Sequence, residues 1–161
     1  GGAAGASQRH KHLQLAPFPL WEGMTELPVE GALAVATLGV EPQVRRWPYL
    51  HAAVRLEDEW LAARDQDAAQ AVGAELARRY WALLAALGID QADGDGMLPP
   101  YNLVATRRWL LLAPRTQAEI DGIPVNALGF AGSLLARTPA ELEHLRALGP
   151  LTVLHKVTRA E

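Results

Sequence analysis

YNLVATRRWLLLAP, residues 101–114, contains two short apolar runs that the pair Arg107-Arg108 separates. Each run has the length of an ordinary strand and is rich in residues that pack well on a sheet. The pattern predicts either two consecutive strands or one bent strand. On both interpretations this stretch belongs to a β-sheet.

On the amino-terminal side of this stretch, the clearest element is a helix over about 65–87. Its apolar residues recur at helical spacing among Ala, Arg and Glu, and Gly88 is placed to end it. Residues 49–56 are rich in aromatic and branched side chains and predict a further strand. Residues 21–48 contain three prolines and no sustained period, which indicates an irregular connector.

On the carboxyl-terminal side, residues 132–136 predict a strand. Thr138, with Glu141 three residues later, predicts the start of a short final helix that Gly149-Pro150 would end. The expected fold class is therefore α+β, with a mostly antiparallel sheet and one long helix packed across it. We expect residues 1–161 to form a single domain.

The composition excludes several classes of protein and of site. The 161 residues are 50% hydrophobic and 20% charged, as in an ordinary soluble domain. The net charge of -3 is too balanced for binding a nucleic-acid backbone, and the apolar stretches are too short to span a membrane. The sequence has no cysteine, which excludes disulfides, thiolate metal sites and thiol nucleophiles and fits a cytoplasmic location.

The residues GGAAGASQRHKHLQ, at 1–14, form a glycine-rich run followed by alternating polar side chains. Glycines allow backbone N–H groups to converge on an anion, so the run could cradle a phosphate. The alternation over residues 10–15 predicts a strand, which would project His10, His12 and Gln14 from one face. A neutral imidazole there can attack phosphorus, but the same spacing also suits a metal-binding pair or an exposed surface. The glycine run alone also suits a flexible tail.

The segment GASQRHKHLQ, at 5–14, resembles the His-x-His-x-Gln signature of the ATP adenylyltransferases, also called diadenosine tetraphosphate phosphorylases. These enzymes are the transferase branch of the histidine-triad superfamily. A second block resembles the carboxyl-terminal region of the same family: residues 101–106, Trp109, Pro114-Arg115 and VNALGFAGS at 125–133. The resemblance covers nearly the whole chain and is weakest over 21–48.

The resemblance implies a set of catalytic and substrate-binding residues. His12 would be the nucleophile, His10 would orient it, and Gln14 would donate to a non-bridging oxygen of the nucleotidyl intermediate. Substrate contacts would come from Gly5, Ala6, Ser7, Gln8, Asn126, Ala127, Leu128, Ser133 and Arg137. Arg137 stands where we expect lysine in relatives, which leaves its role open because the two cations pair with phosphate differently.

The implied reaction is a reversible adenylyl transfer in two steps. His12 attacks the α-phosphorus of diadenosine tetraphosphate, ATP leaves, and inorganic phosphate takes the adenylyl group to give ADP. A third histidine at position 14 could protonate a leaving group and thereby favour attack by water. An amide cannot supply this proton, so Gln14 favours transfer to phosphate. No metal ligand or cofactor is required, although Mg²⁺ could accompany the nucleotide.

Several alternatives stay open. Hexose-1-phosphate uridylyltransferases share the His-x-His-x-Gln chemistry, although the block from Tyr101 fits the adenylyl enzymes better. The chain could instead be a non-catalytic nucleotide-binding or complementing fragment.

Family members carry a substantial region before the glycine-rich loop, so we expect the carboxyl-terminal part of a longer nucleotidyltransferase, completed by a second chain or a missing segment. Arg107, Arg108 and Arg115 could contact polyphosphate or form a solvated face.

Overall fold

The computed structural model describes residues 2–4, 13–33, 39–45, 49–56, 65–92 and 97–159. A 3-10 turn at Gly2–Ala4 precedes the other elements. In chain order these are α1 (Val29–Leu33), β1 (Gln43–Arg45), β2 (His51–Arg55), α2 (Gln66–Ala86), β3 (Tyr101–Ala105), β4 (Trp109–Pro114), β5 (Glu119–Ile120), β6 (Ile123–Pro124), α3 (Ala127–Phe130), α4 (Pro139–Leu148) and α5 (Pro150–Val157). The expected α+β class with antiparallel strands is confirmed. Among the described helices, none combines the length and the apolar character needed to cross a bilayer.

Residues 101–114 form two strands joined by a tight turn rather than one bent strand. β3 and β4 pair antiparallel, with Leu103 opposite Leu112. Thr106 closes the turn: its N–H donates to the Trp109 carbonyl at 3.0 Å, and its hydroxyl accepts from the Trp109 N–H at 3.1 Å. Both residues of the arginine pair lie exposed in this turn. The charged interruption of the apolar pattern therefore marks the point where the chain reverses.

The described residues form a four-stranded antiparallel sheet in the order β1-β2-β4-β3. β4 is central and buried along its whole length. Trp109, Leu111 and Ala113 pack on one face in a core shared with α1, α3, α4 and α5. Leu110 and Leu112 pack on the other face in a core shared with α2. Successive strand residues point to opposite faces, which explains why neighbours in β4 enter different cores.

The long helix α2 has the bounds that its sequence signals predict. Asp65 caps its start by accepting a hydrogen bond from the Ala68 N–H at 2.8 Å, and Gly88, with a φ of +63°, follows its last turn. Leu83 and Leu84 are fully buried against the sheet. Burial of this one apolar face holds α2 across the strands.

Two predictions about the carboxyl-terminal part are wrong. Residues 132–136 are irregular rather than a strand, because α3 ends immediately before them and the chain turns at Gly132, whose φ is +99°. Gly149 follows the end of α4 as predicted, but Pro150 begins α5 instead of ending the helical region. Proline suits the first position of a helix, where no N–H is required.

Candidate functional site

The expected substrate contacts of the second sequence block meet in one turn around α3. Asn126 caps α3, and its side-chain oxygen accepts a hydrogen bond from the Leu128 N–H at 3.0 Å. The Ser133 N–H donates to the Leu128 carbonyl at 2.9 Å and folds the chain back on the helix. Asn126 is exposed, whereas Ala127, Leu128 and Ser133 are half-buried. The structure thus brings four predicted site residues together.

A glycine allows this turn to pack against the amino-terminal part of the chain. A Cβ at Gly132 would lie only 2.5 Å from the Cβ of Pro28, and the positive φ there is strained for other residues. Beside this contact, the Val29 N–H donates to the Ala131 carbonyl at 3.3 Å. The α3 turn and the start of α1 are therefore in direct backbone contact.

A cavity of about 1300 Å³ lies beside the α3 turn, among α1, α3, α4 and α5. Its walls are mostly apolar and include Leu128 and Ser133. On the sheet side it is lined by His51, which is buried with its Nδ1 2.9 Å from the Tyr49 carbonyl oxygen. Arg146 lines it on the helix side. An apolar cleft with a few polar groups has the general character of a small-molecule site.

Arg115 lies in the interior between the sheet and the carboxyl-terminal helices, with 4% of its surface exposed. Burial lowers the pKa of its guanidinium from 12.5 to about 10, so it still carries its charge at neutral pH. The guanidinium carbon lies 5.5 Å from the centre of the Phe130 ring. Its nitrogens donate to the carbonyls of Gln117 at 2.6 Å, Val125 at 3.0 Å, Val157 at 3.2 Å and Ala118 at 3.3 Å. Arg115 is thus a buried, multiply bonded cation and not part of a solvated face.

Asn102 connects Arg115 to the glycine-rich segment. Its side-chain oxygen accepts a hydrogen bond from the Arg115 guanidinium, and its side-chain nitrogen donates to the Ala4 carbonyl at 3.0 Å. Ala4 is only 5% exposed, so the Gly2–Ala4 turn lies close against the protein. Gly5, the first residue of the expected phosphate loop, directly follows it in the sequence. β3 is contacted both by the Gly2–Ala4 turn and by α3. The glycine-rich segment and the α3 turn therefore reach the same strand.

Most of the histidine signature lies outside the described residues. This applies to the predicted catalytic residues His10 and His12 and to the predicted loop residues Gly5, Ala6, Ser7 and Gln8. Gln14 is described, and it is exposed in an irregular segment. The prediction of a strand is therefore wrong for residues 13–15, which are irregular and leave Leu13 and Leu15 exposed. In the part of the chain that the structure describes, no group of three or more His, Asp or Glu side chains could hold a metal ion.

Arg137, the predicted cation of the site, is engaged in an ion pair. Its Nη2 lies 2.7 Å from Oε1 of Glu141 and donates to the Gly122 carbonyl at 3.2 Å. The hydrogen bonds between the two side chains raise the pKa of Arg137 and lower the pKa of Glu141. Arg137 thereby joins α4 to the β5–β6 turn, and a phosphate group would have to compete with Glu141 for it.

Sequence reasoning did not identify two polar residues that organise this region. Glu30 is 6% exposed and accepts hydrogen bonds from Arg108 Nη2 at 2.6 Å and from Trp109 Nε1 at 2.7 Å. The partners are 78 and 79 residues away along the chain, so no local pattern indicates the contact. Asn102 was missed as well, although a single amide within an apolar strand is a signal that could have indicated it.

Comparison with protein families matches most of the chain to two family models. One, described as the ATP adenylyltransferase C-terminal domain, matches residues 45–160. The other, described as the Ap4A phosphorylase N-terminal domain, matches residues 1–35. A search of curated protein sequences gives no significant match.

Two solved structures share the fold of this chain. The crystal structure of yeast Ap4A phosphorylase Apa2 matches with a TM-score of 0.66 and 21% sequence identity, over 98% of this chain and 53% of the yeast chain. The crystal structure of yeast Apa2 in complex with AMP gives a TM-score of 0.61 and 22% identity over the same shares of the two chains. The chain described here therefore spans about half the length of the yeast protein.

Proposed function

Since the chain belongs to the ATP adenylyltransferase C-terminal domain family, we propose that it acts in reversible adenylyl transfer on dinucleoside polyphosphates. The proposed reaction is the phosphorolysis of diadenosine tetraphosphate (Ap4A) to ADP and ATP. The observation that carries the proposal is the match of two family models in chain order. The His-x-His-x-Gln signature falls within residues 1–35, and the α3 turn falls within 45–160.

In the proposed mechanism, His12 is the nucleophile. Its neutral imidazole attacks the α-phosphorus of one adenylyl group, and a P–N bond forms while the P–O bond to the leaving ATP breaks. Inorganic phosphate then attacks the same phosphorus, the P–N bond breaks, and ADP leaves. His10 orients the imidazole of His12, and Gln14 donates a hydrogen bond to a non-bridging oxygen of the intermediate.

The proposal places the substrate phosphates at Gly5, Ala6, Ser7 and Gln8, and the nucleotide against the α3 turn. The hydrogen bond from Asn102 to Ala4 supports this arrangement, because it holds the residue before the loop at the strand that α3 contacts. Leu128 and Ser133 also line the large apolar cavity, which supports an adenosine site there. Arg137 would contact phosphate only after release from Glu141. Mg²⁺ bound to the substrate phosphates is compatible with the proposal and is not required by it.

Incubation of the purified chain with Ap4A and inorganic phosphate tests the proposed reaction. Chromatography should detect ADP and ATP in equal amounts. His12→Ala should reduce the rate at least about 1000-fold, because the nucleophile is removed. His144→Ala changes an exposed histidine on α4 and should keep the wild-type rate.

Full activity of His12→Ala would contradict the assigned nucleophile. Binding of AMP without any turnover of Ap4A would favour a nucleotide-binding or complementing fragment instead. Turnover of a uridylyl substrate in place of Ap4A would favour the uridylyltransferase reaction.

A further inference from the structure

We propose that Asn102, held by Arg115, is a positioning residue for the phosphate-binding loop. The inference rests on the proposed function, because it takes Gly5–Gln8 as the segment that contacts the substrate phosphates. It is carried by two observations on described residues: the hydrogen bond from Asn102 to the Ala4 carbonyl and the fixed, buried guanidinium behind it.

The position of the Arg115 guanidinium is determined on several sides. It donates to carbonyls at Gln117, Ala118, Val125 and Val157. A buried cation that lost these acceptors would be strongly destabilising, so the group has little freedom to move. Asn102 accepts a hydrogen bond from this fixed donor.

The contact with Arg115 also sets the direction of the Asn102 amide. A side-chain amide has an acceptor at one end and donors at the other, and only its oxygen can receive a hydrogen bond from a guanidinium. With the oxygen bound to Arg115, the amide nitrogen faces the opposite way, where it donates to the Ala4 carbonyl at 3.0 Å. Arg115 thus determines where Asn102 holds Ala4.

The same guanidinium reaches the second part of the site. Its Nη1 donates to the carbonyl of Val125, the residue before Asn126, at 3.0 Å. Arg115 therefore links Ala4, through Asn102, to the residue that precedes the α3 turn. A displacement of about 1 Å between reacting groups can cost up to about 100-fold in rate, so the pair contributes to turnover without touching substrate.

Two substitutions of Asn102 separate its two hydrogen bonds. Asn102→Asp keeps an acceptor for Arg115 but cannot donate to the Ala4 carbonyl. Asn102→Ala removes both hydrogen bonds. We expect both variants to lower kcat/KM for Ap4A by about tenfold or more, whereas the melting temperature of Asn102→Asp stays near that of the wild type. Gln70→Glu makes the same amide-to-carboxylate change at an exposed position of α2 and should leave kcat/KM unchanged.

A second readout needs no substrate. Trypsin cleaves after Arg9 and Lys11, which follow the held residue Ala4 in the sequence. Loss of the hydrogen bond to Ala4 should speed cleavage at these two sites several-fold in both Asn102 variants, and Gln70→Glu should not change it. Mass spectrometry of the released amino-terminal peptides measures the rate.

The outcomes distinguish failure of this inference from failure of the proposed function. A wild-type kcat/KM in Asn102→Asp overturns the positioning role, even if Asn102→Ala is impaired. Unchanged tryptic cleavage in both variants overturns the hold on Ala4. If the wild type does not turn over Ap4A, the proposed reaction fails. The AMP affinity of the same variants, measured by calorimetry, then decides the inference: affinity equal to that of the wild type overturns it.

Discussion

Single polar side chains connect distant parts of this molecule. Glu30, Asn102 and Arg115 each bind partners on other elements. Glu30 and Arg115 are buried and Asn102 is half-buried, and loss of one partner from a buried group costs about 1–3 kcal/mol. The ion pair between Arg146 and Glu143 is exposed on both sides, and such pairs contribute about 0–1 kcal/mol. Glu30, Asn102 and Arg115 are therefore the positions where substitutions act at a distance.

The Gln14→His variant tests whether the amide directs the second step to phosphate. Gln14 is exposed, so an imidazole can be accommodated there. A histidine can supply a proton that an amide cannot, and the ratio of AMP to ADP among the products should rise about tenfold or more. Chromatography at a fixed phosphate concentration measures this ratio. Gln14→Asn keeps the amide and should not raise it, and an unchanged ratio in Gln14→His would count against the argument.

At the scale of secondary structure elements, the packing of α3 on α1 depends on a glycine that cannot carry a side chain. Gly132→Ala would place a methyl group 2.5 Å from the Cβ of Pro28 at a φ of +99°, so we expect a loss of about 2 kcal/mol or more in unfolding free energy. Gly73→Ala in α2 meets no atom within 4 Å in the described structure and should gain about 0.5–1 kcal/mol. Urea denaturation of the two variants measures both changes. Equal changes in unfolding free energy in Gly132→Ala and Gly73→Ala would show that the close approach at Gly132 is not required.

The elements that the sequence predicted correctly are those with local signals. α2 has a sustained helical period, and Asp65 is a suitable N-cap, so its bounds follow from neighbouring residues. The pair Gly149-Pro150 is compatible with the end of one helix and with the start of another, and only packing of α5 into the core decides between them. Residues 13–15 have strand-like alternation, but a strand also needs a paired neighbour, which a local pattern cannot supply.

At the scale of the whole molecule, alkaline pH should reduce stability through Tyr49. This residue packs edge-on against Phe130, with ring centroids 5.1 Å apart, and burial raises the pKa of its hydroxyl from 10 to about 12. The pKa of Tyr49 is higher in the folded state than in the unfolded state, so the unfolded state loses this proton first as the pH rises. The stabilisation that the buried, neutral hydroxyl provides is therefore fully present below about pH 10 and is lost as the pH rises through about 12. Tyr49→Phe cannot ionise, so its unfolding free energy should fall less than that of the wild type across this window. Denaturation series at several pH values measure the difference, and parallel losses in both proteins would contradict the assignment.

The residues of the α3 turn lie close together in the sequence, whereas the contacts that connect other parts of the candidate site join residues that are far apart in the sequence. Asn126, Leu128 and Ser133 lie within eight residues of each other, and their meeting in one turn follows from the chain itself. Asn102 and Ala4 are 98 residues apart, and no period or spacing relates them. The inward position of Arg115 likewise follows from carbonyl groups that only the folded chain brings together.

The contacts of Glu30 constrain how this sequence can be exchanged with those of relatives. Glu30 and Pro28 lie in the stretch that matches one family model, and their partners Arg108, Trp109 and Gly132 lie in the stretch that matches the other. A recombination breakpoint between residues 35 and 45 would combine a carboxylate from one parent with an indole and a guanidinium from another. Chimeras made there should be viable only when both parents preserve these pairings, so the two stretches are expected to be inherited together.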